Sequence, residues 1–284
     1  MRLPTPEYST VSPNRLPSWV PDWRVYQSHI LSEPTSPHQA GGRISSCLEL
    51  DRTSKVLRVD GVFVDIVAAC SDPFRPREFH VDGSHWSEAF QKTWHDVCSH
   101  ASFGLATKYR PHARFPRSGE SREEGEPRDL EESAVYAYVQ TLSNACVAIA
   151  WQDNQPYDSV PTRQWLAHGA AYLVCAAARN SRGISAGLQS LAENGDAAKW
   201  ARAANGASGN RAFAGTTKGY YVLGPRLMNP GDLICVMKGA KIPFCLRPWG
   251  SKFLLVGECY VHGIMDGRMF ETAEADGTEV FEIV

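Results

Sequence analysis

With 284 residues, 43% of them hydrophobic and 21% charged, the chain has the mix of a packed globular protein rather than a disordered one. It is long enough for one large domain or two ordinary ones. Lys and Arg number 29 against 31 Asp and Glu, a formal net charge of -2, which excludes a general pull toward nucleic acid or an anionic membrane.

The longest strongly apolar run, AAYLVCAAA at 170–178, is far shorter than the roughly 18 residues a membrane-spanning helix needs. MRLPTPEYSTVSPNRLP at the start lacks the apolar core of a secretory signal. The eight cysteines (Cys47, Cys70, Cys98, Cys146, Cys175, Cys235, Cys245 and Cys259) never form a CxxC pair. Most sit in apolar runs such as LICVM and PFCLR, where a thiol behaves as a small hydrophobe. A reduced, intracellular, cytoplasmic protein without a disulfide framework is expected.

Residues 1–45 are rich in Pro and Ser. Within them LPSWVPDWRVY (16–26) sets Trp19 and Trp23 between prolines, which predicts an extended strip anchored by, or presenting, two indoles. Residues 46–70 read as two or three antiparallel strands, with Asp60-Gly61 as a tight turn or bulge before VFVDIV.

From Ser84 the period becomes helical, with Trp86, Phe90, Trp94 and Val97 on one face and Ser84 as N-cap. Charged, Gly- and Pro-bearing residues 110–128 predict a mobile loop. Asp129 and Glu132 then form a capping-box variant that opens a core helix running from Ala134 to Trp151. Two further helical stretches follow, at 162–180 and 184–204. After Asn205, short β-branched and aromatic runs return: GYYVLG, LICVM, IPFCLR, KFLLVGECYV and FEIV. Turn chemistry separates them, and in NPGD (229–232) Pro230 and Gly231 suit the centre of a type II turn. The predicted fold is α+β. A small antiparallel barrel or curled sheet is built from 46–70 plus 211–284, with 71–210 as a helical insertion beside it.

The chemistry-bearing residues concentrate in GECYVHGIMDG (257–267). Strand alternation puts Leu255, Gly257, Cys259 and Val261 on one face and Val256, Glu258, Tyr260 and His262 on the other, which separates Cys259 from His262 and argues against a dyad. The mixed face is expected to be half-solvated strand surface. HDVCSH (95–100) puts only His95 and Cys98 on one helical face, so no metal set is read there. GASGNRAFAG has spaced glycines without a strand before it, and neither G-x-S-x-G nor H-E-x-x-H occurs. No catalytic residue, metal or cofactor is assigned, and whether the protein is an enzyme stays open, with a non-enzymatic reading favoured.

The run GYYVLGPRLMNPGDLICVMKGAKIPFCLRPWGSKFLLVGECYVHGIMDG (219–267) resembles the C-terminal region of fungal heterokaryon-incompatibility proteins. Four blocks recur there in this order: a G-x-G-P turn, a GD-x-I-C-V strand, a G-A-x-x-P-F-x-L-R hairpin and an L-V-G-E-x-Y-V-H-G-I-M-D-G ending. WVPDW (19–23) and KVLRVDGVFVDIV (55–67) resemble segments that follow the incompatibility domain. That domain's Y-x-A-L-S-Y-x-W-G signature is absent from the sequence, so the resemblance implies a C-terminal portion without the effector activity. It implies a non-enzymatic regulatory or scaffold region in nonself recognition and programmed cell death, with a protein partner or an effector domain as its contact. Trp19, Trp23, Glu258, Tyr260 and His262 are the candidate contact residues. The alternative is a small-molecule-binding or hydrolytic cleft using Asp232, Glu258, His262 and Asp266, which requires those side chains to converge.

Overall fold

The fold is described from a computed structural model, in which residues 17–20, 31, 36–43, 45–46, 48–80, 88–99, 134–146, 162–179, 186–273 and 277–284 are placed. The expected α+β architecture is present, and its organising element is one long strand. β1 (Leu48–Asp51) turns back into β2 (Val56–Cys70), whose 15 residues are β-branched and apolar at alternate positions. Strands from the other end of the chain pair with it in succession. β9 (Glu279–Ile283) lies along Leu57–Gly61, β5 (Leu233–Met237) along Gly61–Ile66, and β3 (Arg211–Thr216) along Val67–Cys70.

β5 continues to β6 (Phe244–Trp249), β6 to β7 (Lys252–Glu258), and β7 meets β9, which returns to β2. Hydrogen bonding therefore closes a five-stranded ring. The β7–β9 contact is parallel, Phe253 opposite Ile283, so the barrel is mixed rather than purely antiparallel. From the far half of β2 the sheet runs on through β3, β4 (Tyr221–Pro225) and β8 (Tyr260–Val261).

No turn interrupts β2 at Asp60-Gly61. Gly61 instead allows close approach, since a Cβ there would lie 2.8 Å from the Val236 carbonyl oxygen and 3.0 Å from the Phe281 ring. KFLLVGECYV is not one strand either. Gly257 takes a φ of 151°, which other residues rarely adopt, and the chain kinks between β7 and β8. β3 was missed from sequence because RAFAGT is short and glycine-bearing, yet all six of its residues are buried.

The helices are α1 (Glu88–Ser99), α2 (Ala134–Leu142), α3 (Thr162–Arg179), α4 (Ala186–Leu191), α5 (Ala197–Ser208) and α6 (Arg268–Ala273). The expected single helix at 184–204 is two, because Asp196 caps a fresh start by accepting from the Ala198 and Lys199 amides. The expected helix from Ala134 stops at Leu142, since Asn144 and Ala145 both have positive φ and form a short 3-10 turn with Cys146. The loop 110–128, the caps at Ser84 and Asp129, and Trp23 lie outside the described residues. Among those described, no helix is long and apolar enough to cross a membrane.

Helices meet sheet in an aromatic cluster. Trp200 packs on Tyr172 with ring centroids 4.7 Å apart and edge-on to Phe79, and Tyr138 packs edge-on to Phe213 at 5.1 Å. A second cluster fills the space between β2, β3, β4 and β5, and a third, with Cys235, Leu246, Phe281 and Ile283, fills the ring itself.

Candidate functional site

The residues singled out from sequence divide among five separate arrangements. Asp232, which ends the NPGD turn, is buried. Its Oδ1 accepts from Arg247 Nε at 2.8 Å, and its Oδ2 accepts from Arg247 Nη2 at 2.9 Å and from the Asn229 amide at 2.8 Å. The turn closes by the Asp232 amide donating to the Asn229 carbonyl. Bidentate pairing of this kind fixes both groups, so Asp232 ties the turn to β6. Replacing it by Asn should cost about 2 kcal/mol in chemical denaturation, because Arg247 loses its counter-charge but still reaches solvent. An unchanged denaturation midpoint would show that the pair is ornamental.

Glu258 faces the opposite way, into the junction between barrel and helices. Its Oε1 accepts from Arg211 Nη2 at 2.5 Å and from the Leu31 amide at 2.7 Å, while Arg211 Nη1 donates to its carbonyl at 3.0 Å. Arg211, on β3, is almost fully buried. Burial pulls its pKa below the ordinary value and Glu258 opposes that pull.

Tyr260 and His262 do come together. Tyr260, which opens β8, and His262, in the turn just after it, place the phenol oxygen 3.2 Å from His262 Nδ1. The ring of Tyr136 stands edge-on to His262 at 5.6 Å. Tyr260 is only 3% exposed, so this face is not the half-solvated surface expected from alternation. The reason is a cover that strand periodicity does not reveal: α2 on one side and an N-terminal strap on the other.

The strap supplies the residues that sequence reasoning missed. Residues 39–41 are stitched down by backbone bonds from Gln39 to the Met265 carbonyl, Ala40 to Lys241 and Gly41 to Ala240. His38 is buried against Tyr260, ring centroids 5.6 Å apart, with its Nε2 3.0 Å from Asn144 Oδ1. Asn144 Nδ2 donates to the Leu31 carbonyl at 3.2 Å, which fixes the amide orientation, so His38 Nε2 carries the proton and donates. Burial lowers the His38 pKa to about 4, against the raising effect of its bonds with Asn144; the Lys241 charge lowers it further. The left-handed backbone at Asn144 is what aims this side chain at the strap.

Asp266 pairs locally with Arg268, Nε to Oδ2 at 2.5 Å, at the start of α6. Trp19 packs on the third hydrophobic cluster and donates its indole N–H to the Lys55 carbonyl at 3.3 Å. Cys259 is buried with Cys245, whose thiol is pushed up by its bond with Cys259 and by burial. Asp232, Glu258, His262 and Asp266 are thus each engaged with different partners, and the chemistry of these contacts is holding segments together.

One open end of the ring encloses a cavity of about 280 Å³ that none of these residues lines. Its walls are Leu57 and Val59 of β2, Met237 of β5, Phe244 of β6, Leu255 of β7 and Ile283 of β9.

The family model described as the Het-6 beta-barrel domain matches residues 171–281. A stretch of 65 residues is 45% identical to heterokaryon incompatibility protein 6, OR allele, of Neurospora crassa, and covers 22% of this chain and 10% of that protein. The match thus spans about a tenth of the relative's length. No solved structure matches the chain. The matched region contains β3 to β8 and most of β9, whereas β2, the strand that closes the ring, lies before it.

Proposed function

We propose, for a chain that carries the barrel domain of the fungal heterokaryon-incompatibility proteins, a regulatory or scaffold role exercised through protein contacts rather than catalysis. One observation carries this reading. β1 pairs with β2 alone among the described strands, and its Leu48 and Leu50 are 60% and 46% exposed. An edge strand that presents apolar side chains suits an added strand or surface of a partner. The engagement of the acidic side chains and His262 in structural contacts supports the same reading, since a hydrolytic cleft needs them convergent.

The partner in this reading is an effector domain of an incompatibility protein, and binding its inactive state shifts that population. Trp19 and His262 sit near the surface, whereas buried Tyr260 acts from beneath it. Expressed alone in a fungal cell, the chain should be harmless. Co-expressed with a full-length relative, it should damp the death response, and Leu48→Lys with Leu50→Lys should relieve the damping without lowering the melting temperature. Death caused by the chain alone would overturn the proposal, as would damping that the double variant leaves intact.

A further inference from the structure

We infer that the open end of the barrel is a binding site for a small anion with an apolar, ring- or chain-sized body. The cavity is not a gap between loops. Each of the five strands of the ring contributes a wall residue, and Val59, Met237 and Ile283 form a buried floor. These three pack with Cys235, Leu246 and Phe281 in the cluster that fills the ring, so the space forms a cup against that core. The mouths of β-barrels are among the places where ligand sites recur.

The cup's chemistry narrows the occupant. Leu57, Phe244 and Leu255 are only half-buried, which leaves apolar surface facing the cavity. Filling it with a hydrocarbon removes that surface from water, at roughly 25 cal/mol per Å². An apolar cavity of about 150 Å³ takes up benzene. At about 280 Å³ this one has room for a fused two-ring body or a chain of similar bulk.

Among the described residues that line it, Lys238 carries the one charged side chain and Ser46 the one hydroxyl. Lys238 follows the last strand residue of β5, and its amide is already used on the Asp60 carbonyl, which fixes where its side chain starts. None of the described residues lining the cup is a carboxylate. A lysine in the lining of an otherwise apolar cup favours a ligand whose apolar part fills the cup and whose carboxylate meets the ammonium. The backbone supports that orientation. The Gly239 amide beside Lys238 donates to Gly41 of the strap and the Ala240 amide closes the turn onto Met237, so the backbone that carries Lys238 is held in place.

The experiment uses the full chain and two fluorescent probes of one shape, 2-naphthoate and its uncharged counterpart 2-naphthol, titrated at pH 7. Naphthoate is expected to bind one per chain. Lys238→Gln should weaken naphthoate about tenfold and leave naphthol unchanged, because only the ion pair is removed. Ala240→Leu, which adds bulk at the rim, should weaken both probes, and melting temperatures show whether each variant is folded. Absence of naphthoate binding at millimolar probe overturns the site. Binding that both variants leave unchanged places the probe elsewhere and also overturns it. Equal naphthoate affinity in wild type and Lys238→Gln overturns the assignment of an anion. Leu48 of β1 also lines the cup, so Leu50→Lys alone, outside the lining, tests the partner contact without altering this site.

Discussion

Replacing Arg211 by Met is expected to destabilise the protein by about 3 kcal/mol or more, the range found when one member of a buried ion pair is removed. The guanidinium is buried on β3, where the Glu258 carboxylate pairs with it. Without the cation, a carboxylate that is itself four-fifths covered is left in the junction between barrel and helices. Glu258 also receives the Leu31 amide, so the loss should spread to the strap rather than remain local. Urea denaturation of Arg211→Met, Glu258→Gln and the double variant decides the matter. Because the two groups touch, the double variant should be more stable than the sum of the single losses predicts, by about 1–3 kcal/mol. Strict additivity would mean that Arg211 stabilises only by packing its alkyl stem.

The ring was legible in the sequence because its evidence is local and repeated. LICVM, IPFCLR and FEIV are each bounded by turn residues, and β2 is a run of β-branched residues longer than an isolated hairpin needs. That both chain ends share one sheet followed from their order, since either group alone leaves unpaired edges. β3 was not legible: its alanine and glycine carry little strand propensity, and burial between β2 and β4 forces the extended form.

The site was less legible for a different reason. Strand alternation tells which side chains share a face; Tyr260 and His262, which it set together, do touch, although the strand ends at Val261 and His262 lies in the following turn. It says nothing about what covers that face. His38, Asn144 and Arg211 lie 106 and 173 residues apart along the strap-to-helix and strap-to-strand separations, and no spacing rule links them. Asn144 does leave a trace, because a buried Asn at the end of an apolar helix is a natural place for positive φ. Its role, however, depends on Leu31 and His38 arriving from elsewhere.

His38 gives this arrangement a pH dependence of definite sign. Its imidazole is buried and neutral, faces Asn144 and the Tyr260 ring, and lies in the field of Lys241, so in the folded protein it takes a proton only near pH 4. In the unfolded chain it takes one near its ordinary value of 6.5. Above pH 6.5 neither state binds the proton and the contribution is intact. Between pH 6.5 and pH 4 only the unfolded state binds it, so stability falls as the pH falls. Over that window the loss from this one group is about 3 kcal/mol. Asp65 and His168 also have depressed values, so wild type will lose stability in acid for more than one reason. The informative quantity is therefore a difference. His38→Gln keeps an N–H donor toward Asn144 but cannot titrate, and its stability should fall less steeply between pH 6.5 and pH 4 than that of wild type. The strap reports the same event. Amides of Gln39, Ala40 and Gly41, which donate to Met265, Lys241 and Ala240, should exchange faster at pH 4.5 than at pH 7 in wild type, after correction for intrinsic rates, with a smaller change in His38→Gln. Identical acid slopes in the two proteins would mean that the buried imidazole is not what makes the latch over Tyr260 sensitive to protons.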